Sequence, residues 1–170
     1  MNKIAEFQKV SLDQFQSAWK NSFPEASEEE IKNIYEEISL PKRATTGSAG
    51  YDFYAPSDIH LNPGEELLLP TGIRAKMDED YVLMVFPRSS LGFKFRLQLD
   101  NTVGIIDSDY YNAENEGHIM CKLINDSRND KVVEVQKGAG IVQGIFLPYG
   151  ITVDDEVEEK RTGGFGSTNQ

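Results

Sequence analysis

The sequence predicts an all-β body of the sandwich, barrel or jelly-roll kind, with a short helical extension at its N-terminus. Three observations lead there. The hydrophobic period switches from helical to alternating near Thr45, short strand-like runs then follow with no stretch long enough for a helical crossover, and two capping-box spacings stand within the first forty residues.

Taken in order, Ser11 with Gln14 opens a stretch in which Leu12, Phe15 and Trp19 recur at helical intervals. Ser27 with Glu30 opens a second, with Glu28 to Glu30 in the first turn, where they complement the helix dipole. Ile31, Ile34, Tyr35 and Ile38 form its apolar stripe, and Pro41 ends it. These two short amphipathic helices read as an appendage packed on the body or on a neighbouring subunit, with a partner-binding arm as the other role. Candidate strands are 51–55, 65–69, 72–77, 81–86, 118–125, 131–136 and 141–147, separated by turn residues such as Asn62-Pro63-Gly64 and Lys137–Gly140. The last segment, Lys160 to Gln170, holds three glycines and no aliphatic residue, the composition of a flexible tail. The division expected is therefore 1–40 as helical extension, 41–159 as β body and 160–170 as tail.

The chain has 170 residues, 17 Lys and Arg against 28 Asp and Glu, a net charge of −11 and one cysteine. Its length suits one domain with a sizeable core. A charge of that sign argues against nucleic acid and anionic membranes as partners, because counterion release needs a dense basic surface. The lone Cys121 leaves no intrachain disulfide and no cysteine-based zinc cluster, and a free thiol suits a reducing compartment. With no leader-like or bilayer-length apolar run, a cytoplasmic protein is expected.

The charge is uneven. From Tyr81 to Leu99 the ionised side chains are Arg88, Lys94 and Arg96, with no acid, and from Lys160 onward they are Lys160 and Arg161, again with no acid. Together these stretches carry +5, which leaves −16 on the rest. Each joins a basic group to small hydroxyls and glycine, in PRSSLG and RTGGFGST. Arginine supplies forked donors for phosphate oxygens, hydroxyls add more, and glycine lets main-chain N–H groups approach. Neither is a Walker loop, and alone each reads equally as a solvated turn or a tail. In NTVGIIDSDY a buried apolar run delivers Asp107 into a polar turn, where it suits general-base work or merely caps the turn. Asp52 lies within a strand pattern, facing a metal or solvent. His60 and His118 stand apart from each other and from the cysteine, so no zinc site is suggested, and Ser89 and Ser90 lack the companions of a hydrolytic triad.

Taken together, these segments resemble the five ordered motifs of the trimeric dUTPase family: AGYDFYAP, PRSSLGFK, NTVGIIDSDYY, GAGIVQGIF and RTGGFGST, spread from Ala49 to Thr168 over about 70% of the chain. The resemblance implies a distorted jelly roll, the dUTPase-like β-clip. It implies hydrolysis of dUTP to dUMP and pyrophosphate by in-line attack of water on the α-phosphorus, which keeps uracil out of DNA and supplies dUMP for thymidylate synthesis. Asp107 matches the carboxylate that orients and deprotonates that water. Asp52 matches the residue that holds Mg2+ through its water shell, while the phosphates ligate the ion directly. Arg88, Ser89, Ser90 and Gln143 match phosphate contacts. Arg161, Gly166, Ser167 and Thr168 match the tail that closes over the γ-phosphate, with Phe165 stacking on uracil. Asn101, the main chain of Gly104, Ile105 and Ile106, and Met120 match the uracil-reading hairpin, and Tyr110 matches the tyrosine whose ring excludes a ribose 2′-OH.

The resemblance further implies a homotrimer whose sites draw motifs from more than one subunit. Three features depart from the family pattern: the acidic loop 111–117, Ala139-Gly140 where an acidic-arginine pair is common, and the first forty residues. A dCTP deaminase of the same fold is the enzymatic alternative. A dUTPase that also binds a regulatory protein, through the loop or the helices, is the non-exclusive one.

Overall fold

In the computed structural model, residues 2–157 are described. In chain order the elements are β1 (Ala5–Lys9), α1 (Leu12–Ser22), α2 (Glu28–Glu37), β2 (Lys42–Arg43), β3 (Tyr51–Tyr54), β4 (Ile59–Leu61), β5 (Glu66–Pro70), β6 (Ile73–Met77) and β7 (Tyr81–Pro87). There follow α3 (Ser89–Phe95), β8 (Leu97–Leu99), β9 (Gly104–Ile106), a 3-10 helix (Ser108–Asn112), β10 (Met120–Asn125), β11 (Val133–Val135) and β12 (Gly140–Pro148). All seven runs read as strands contain strands, with ends shifted by at most two residues. No helix among the described residues is long and apolar enough to cross a membrane.

Every strand pairing is antiparallel, as expected of strands joined by turns rather than crossover helices. The largest sheet runs β2-β3-β12-β7-β9, a second runs β5-β10-β8, and two strand pairs, β1-β6 and β4-β11, complete the body. Inward-facing Phe53, Leu69, Leu83, Leu97, Ile119, Leu123 and Ile141 fill the space between.

In both predicted capping boxes the serine half is realised. Ser11 Oγ accepts from the Gln14 N–H and Ser27 Oγ from the Glu30 N–H. Phe15, Trp19, Ile31 and Ile34 form a second core with Val10. At about 1.5–3 kcal/mol for each large side chain fully buried, this cluster holds on the body two helices too short to persist in water.

One sequence reading needs correction: the first forty residues are not helical throughout. Ala5–Lys9 is a strand in register with β6, from Ala5 opposite Met77 to Lys9 opposite Ile73. Phe7 packs its ring edge-on against Tyr51 and Phe53 and lies 5.5 Å from the Phe146 ring, centre to centre. The segment lacks a clean alternation because Phe7 is its one large apolar side chain, so its period carried no strand signal.

Candidate active site

The first cluster lies on the large sheet. Asp52 of β3 is directly opposite Gln143 of β12, which is opposite Phe86 of β7. From the end of β7, Arg88 reaches back across this row. Its Nε lies 3.1 Å from Asp52 Oδ1, and its Nη1 donates to the Gly140 carbonyl at 3.3 Å. Two glycines make the arrangement possible. A Cβ at Gly140 would stand 2.5 Å from Arg88 Nη1, and one at Gly50 would stand 2.7 Å from Gln143 Oε1. Gly140, one of the two residues standing where an acidic-arginine pair is common, thus leaves the space that Arg88 occupies. The PRSSLGFK segment is a short helix, α3, rather than an open turn. Arg88 stands at its N-cap position, and Ser89 and Ser90 are exposed on its first turn.

A second feature is a cavity of about 110 Å³ whose walls include Leu99, Asn101, Gly104, Ile106, Met120 and Cys121. Here the chain passes from β8, paired to β10, to β9, paired to β7, so the two sheets part around the cavity. β9 is the last strand of its sheet, and its outer edge has no strand partner among the described residues. Main-chain donors and acceptors at such an edge are what a planar ring with an alternating hydrogen-bonding edge needs. The volume is far below the roughly 300–1,000 Å³ of drug-sized sites and suits a single ring. Ile105 points to the opposite face and is exposed, so only its main chain is available here. The turn that carries Asn101 holds Thr102 at φ +72°, a costly conformation for a β-branched residue. Burial pushes the Cys121 thiol up to about 12, so it acts as wall rather than nucleophile.

Asp107 follows the buried Ile106 and is exposed. It occupies the N-cap position of the 3-10 helix, but its side chain makes no capping hydrogen bond there. Tyr110 is buried; its hydroxyl donates to the His118 carbonyl at 2.8 Å and accepts from Asn115 Nδ2 at 2.7 Å. The 111–117 loop therefore wraps the tyrosine hydroxyl. It closes through Gly117, at φ +70°, where a Cβ would stand 2.7 Å from both the Tyr110 carbonyl oxygen and the Tyr111 Cα. Gly117→Ala should lower stability by more than about 2 kcal/mol, because backbone has to move. Gly64→Ala, at φ +83° with open space around it, should cost only the left-handed penalty of about 1 kcal/mol. Urea midpoints of the two variants check the contrast.

The two halves lie apart within one chain. Val85 of β7 faces Gly104 and Leu83 faces Ile106, so Asp107 stands beyond Leu83 while Arg88 stands five residues past it in the other direction. That separation is about 20 Å at roughly 3.3 Å per residue. Arg161, Phe165, Gly166, Ser167 and Thr168 lie outside the described residues.

The dUTPase family model matches residues 36–169. The chain belongs to the dUTPase family. A relative named deoxyuridine 5′-triphosphate nucleotidohydrolase, from Lactococcus lactis subsp. lactis (strain IL1403), is 47% identical over 134 residues, covering 77% of this chain and 88% of the relative. The crystal structure of the dUTPase from Streptococcus mutans has a TM-score of 0.61 at 42% identity, over 68% of this chain and 90% of that one. A mutant dUTPase from phage phi11 of S. aureus, whose structure concerns coordination of a structural Mg(II) ion, has a TM-score of 0.64 at 18% identity, over 92% of this chain and 98% of that one; at that identity it speaks for the fold. The family match begins at residue 36, so β1, α1 and most of α2 lie before it.

The ion that the family resemblance implies is Mg2+. No three His, Cys, Asp or Glu side chains among the described residues are grouped to hold a metal. Asp52 is a lone carboxylate already paired with Arg88, which leaves it suited only to an outer contact with an ion that keeps its waters and takes its direct ligands from substrate phosphates.

Sequence reasoning missed His118 and Glu116. The His118 ring is fully buried, Nε2 accepts from the Gly72 N–H at 2.8 Å, and Nδ1 has no partner among the described residues. Glu116 has φ +59°, and its carboxylate accepts from Ser11 N–H at 2.7 Å and Ser11 Oγ–H at 2.6 Å. Burial works against its charged form, but the two Ser11 hydrogen bonds and the charges of Arg74 and His118 hold the carboxyl below its usual value. Neither residue carries a local motif, because both partners come from distant sequence.

Proposed function

We propose that this dUTPase-family chain hydrolyses dUTP to dUMP and pyrophosphate, with Asp107 orienting and deprotonating the water that attacks the α-phosphorus in line with the departing pyrophosphate. The observation that carries the reading is the cavity at the parted sheets. Four of the expected uracil-reading residues, Asn101, Gly104, Ile106 and Met120, line it, and Asp107 follows directly from its wall. Uracil's carbonyl and N–H edge would complete the open edge of β9. Cytosine presents the reverse pattern and would leave buried groups unpaired, a cost of about 1–3 kcal/mol for each. Tyr110, its hydroxyl held by two hydrogen bonds, would lay its ring against the sugar and exclude a ribose 2′-OH.

Arg88, Ser89, Ser90 and Gln143 serve the triphosphate. In the contacts described, Arg88 uses Nε and Nη1, leaving Nη2 of the fork toward an anion. Arg161, Gly166, Ser167 and Thr168 of the tail would close on the γ-phosphate, and Phe165 on the base. Asp52 would hold Mg2+ through water; the bound ion would neutralise charge accumulating on the phosphates. The product supplies dUMP for thymidylate synthesis, and removal of the substrate keeps uracil out of DNA.

The reading includes a homotrimer with composite sites. Its support is the roughly 20 Å along β7 between Asp107 and Arg88, which is too far for both to serve one phosphate from one chain. Phe93, Ile151 and Val153 are exposed apolar side chains suited to burial against further copies. Pyrophosphate release measured across dUTP, dCTP, dTTP and UTP, with and without Mg2+, tests the assignment. Release from dUTP alone is expected, and only with the ion; ammonia release from dCTP would overturn it in favour of a deaminase.

A further inference from the structure

We infer that Ser11 and Glu116 are positioning residues through which the N-terminal segment holds Tyr110 in place, and with it the discrimination between deoxyribose and ribose; the inference rests on Tyr110 being the sugar-facing residue. The Tyr110 hydroxyl is gripped by Asn115 and by the His118 carbonyl, so the ring sits where the 113–118 loop puts it. That loop is not self-supporting. Glu116 and Gly117 are consecutive left-handed residues, and only the second is a glycine. A side chain in that conformation persists when its surroundings hold it, and strain of this kind gathers at functional sites.

What holds Glu116 is Ser11, through its main-chain N–H and its hydroxyl together. Ser11 also accepts from the Gln14 N–H, so one residue caps α1 and clamps the loop. Glu116 thus takes the return half of the capping box, the place sequence spacing assigned to Gln14.

Two further contacts run in parallel. Tyr111 donates to Gln8 Oε1 at 2.8 Å beneath the Arg74 guanidinium, which lies 4.3 Å from the Tyr111 ring centre. Gly72 donates to His118 and accepts from the Val10 N–H at 3.0 Å. The loop after Tyr110 is therefore tied at three points, directly or through Gly72, to residues 8–11, all of them before the family match begins. The loop and the N-terminal segment, two departures from the family pattern, account for each other.

The test compares wild type with Ser11→Ala, Glu116→Gly and Glu116→Gln. Glycine accepts the left-handed backbone, so E116G removes the grip without straining the fold, whereas E116Q keeps an acceptor for the Ser11 N–H. The quantities read are kcat and KM for dUTP and for UTP, and amide hydrogen exchange over residues 108–119. In S11A and E116G the dUTP-over-UTP ratio of kcat/KM should fall about tenfold or more, mainly through a raised kcat/KM for UTP as the 2′-OH is admitted, with faster exchange over 110–118. E116Q should retain most of the ratio. An unchanged ratio in an E116G protein still active on dUTP would overturn the inference alone, as would unchanged exchange in S11A. A wild-type chain with no dUTP turnover would overturn the substrate reading, and the role of Tyr110 with it.

Discussion

Replacing Asp107 with asparagine is expected to lower kcat on dUTP by about 10²–10⁴-fold, the usual contribution of a positioned general base, while binding of a non-hydrolysable dUTP analogue stays within about threefold. The amide has nearly the same shape but cannot take a proton from water. Asp107 is exposed at the end of β9, and asparagine keeps its size and shape, so the substitution should leave the fold intact. Single-turnover pyrophosphate release and calorimetric titration separate the two quantities. Near-normal turnover would place the base elsewhere.

The same variant addresses the composite site. Along β7, Asp107 and Arg88 of one chain stand at opposite ends, so in the proposed trimer a complete site would take Asp107 from one copy and Arg88 from another. Co-expression of D107N with Arg88→Ala protomers should then recover activity that neither has alone, up to about a quarter of the wild-type value for random mixing in a closed ring. Mixtures no more active than the two homogeneous proteins would show that each chain builds its own site.

Much of this was legible in the sequence because the signals are local. The Ser11 and Ser27 caps, the Ile31–Ile34 stripe and the alternating runs all sit within a few residues of what they specify. Errors begin where tertiary partners decide. The run read as a strand from His118 starts at Met120, because His118 and Ile119 turn to bond Gly72 and Ile73 instead. Leu97–Leu99 and Ile59–Leu61 are three-residue strands, too short for a period to register. PRSSLGFK has a turn composition, yet Leu91 and Phe95, one helical turn apart, pack against the body and make it a helix. At the site, the residue types were readable, but the Arg88–Asp52 pairing depends on strands 36 residues apart, and the Glu116–Ser11 clamp spans 105.

The His118 cluster gives the second large effect, a loss of stability on mild acidification. Burial depresses its imidazole from the ordinary 6.5 to about 4, with the Glu116 charge opposing, and Nε2 is committed to accepting from Gly72. Between those values the unfolded chain binds a proton that the folded chain refuses. Stability is therefore complete above about pH 6.5 and falls by about 1.4 kcal/mol per unit toward pH 4, roughly 3 kcal/mol in all. Glu116 acts in the same sense, since a depressed carboxyl also loses its contribution as pH falls. Protonation would put an N–H against the Gly72 N–H and open the junction where Val10, Phe15 and the 110–118 loop meet. Urea midpoints at equal protomer concentration, at pH 7 and pH 4.5, measure the effect in wild type and in His118→Gln. The variant should be weaker at pH 7, by about 1–2 kcal/mol for the altered buried hydrogen bond, yet lose markedly less on acidification. Equal losses in the two proteins would assign the acid sensitivity to the carboxylates alone.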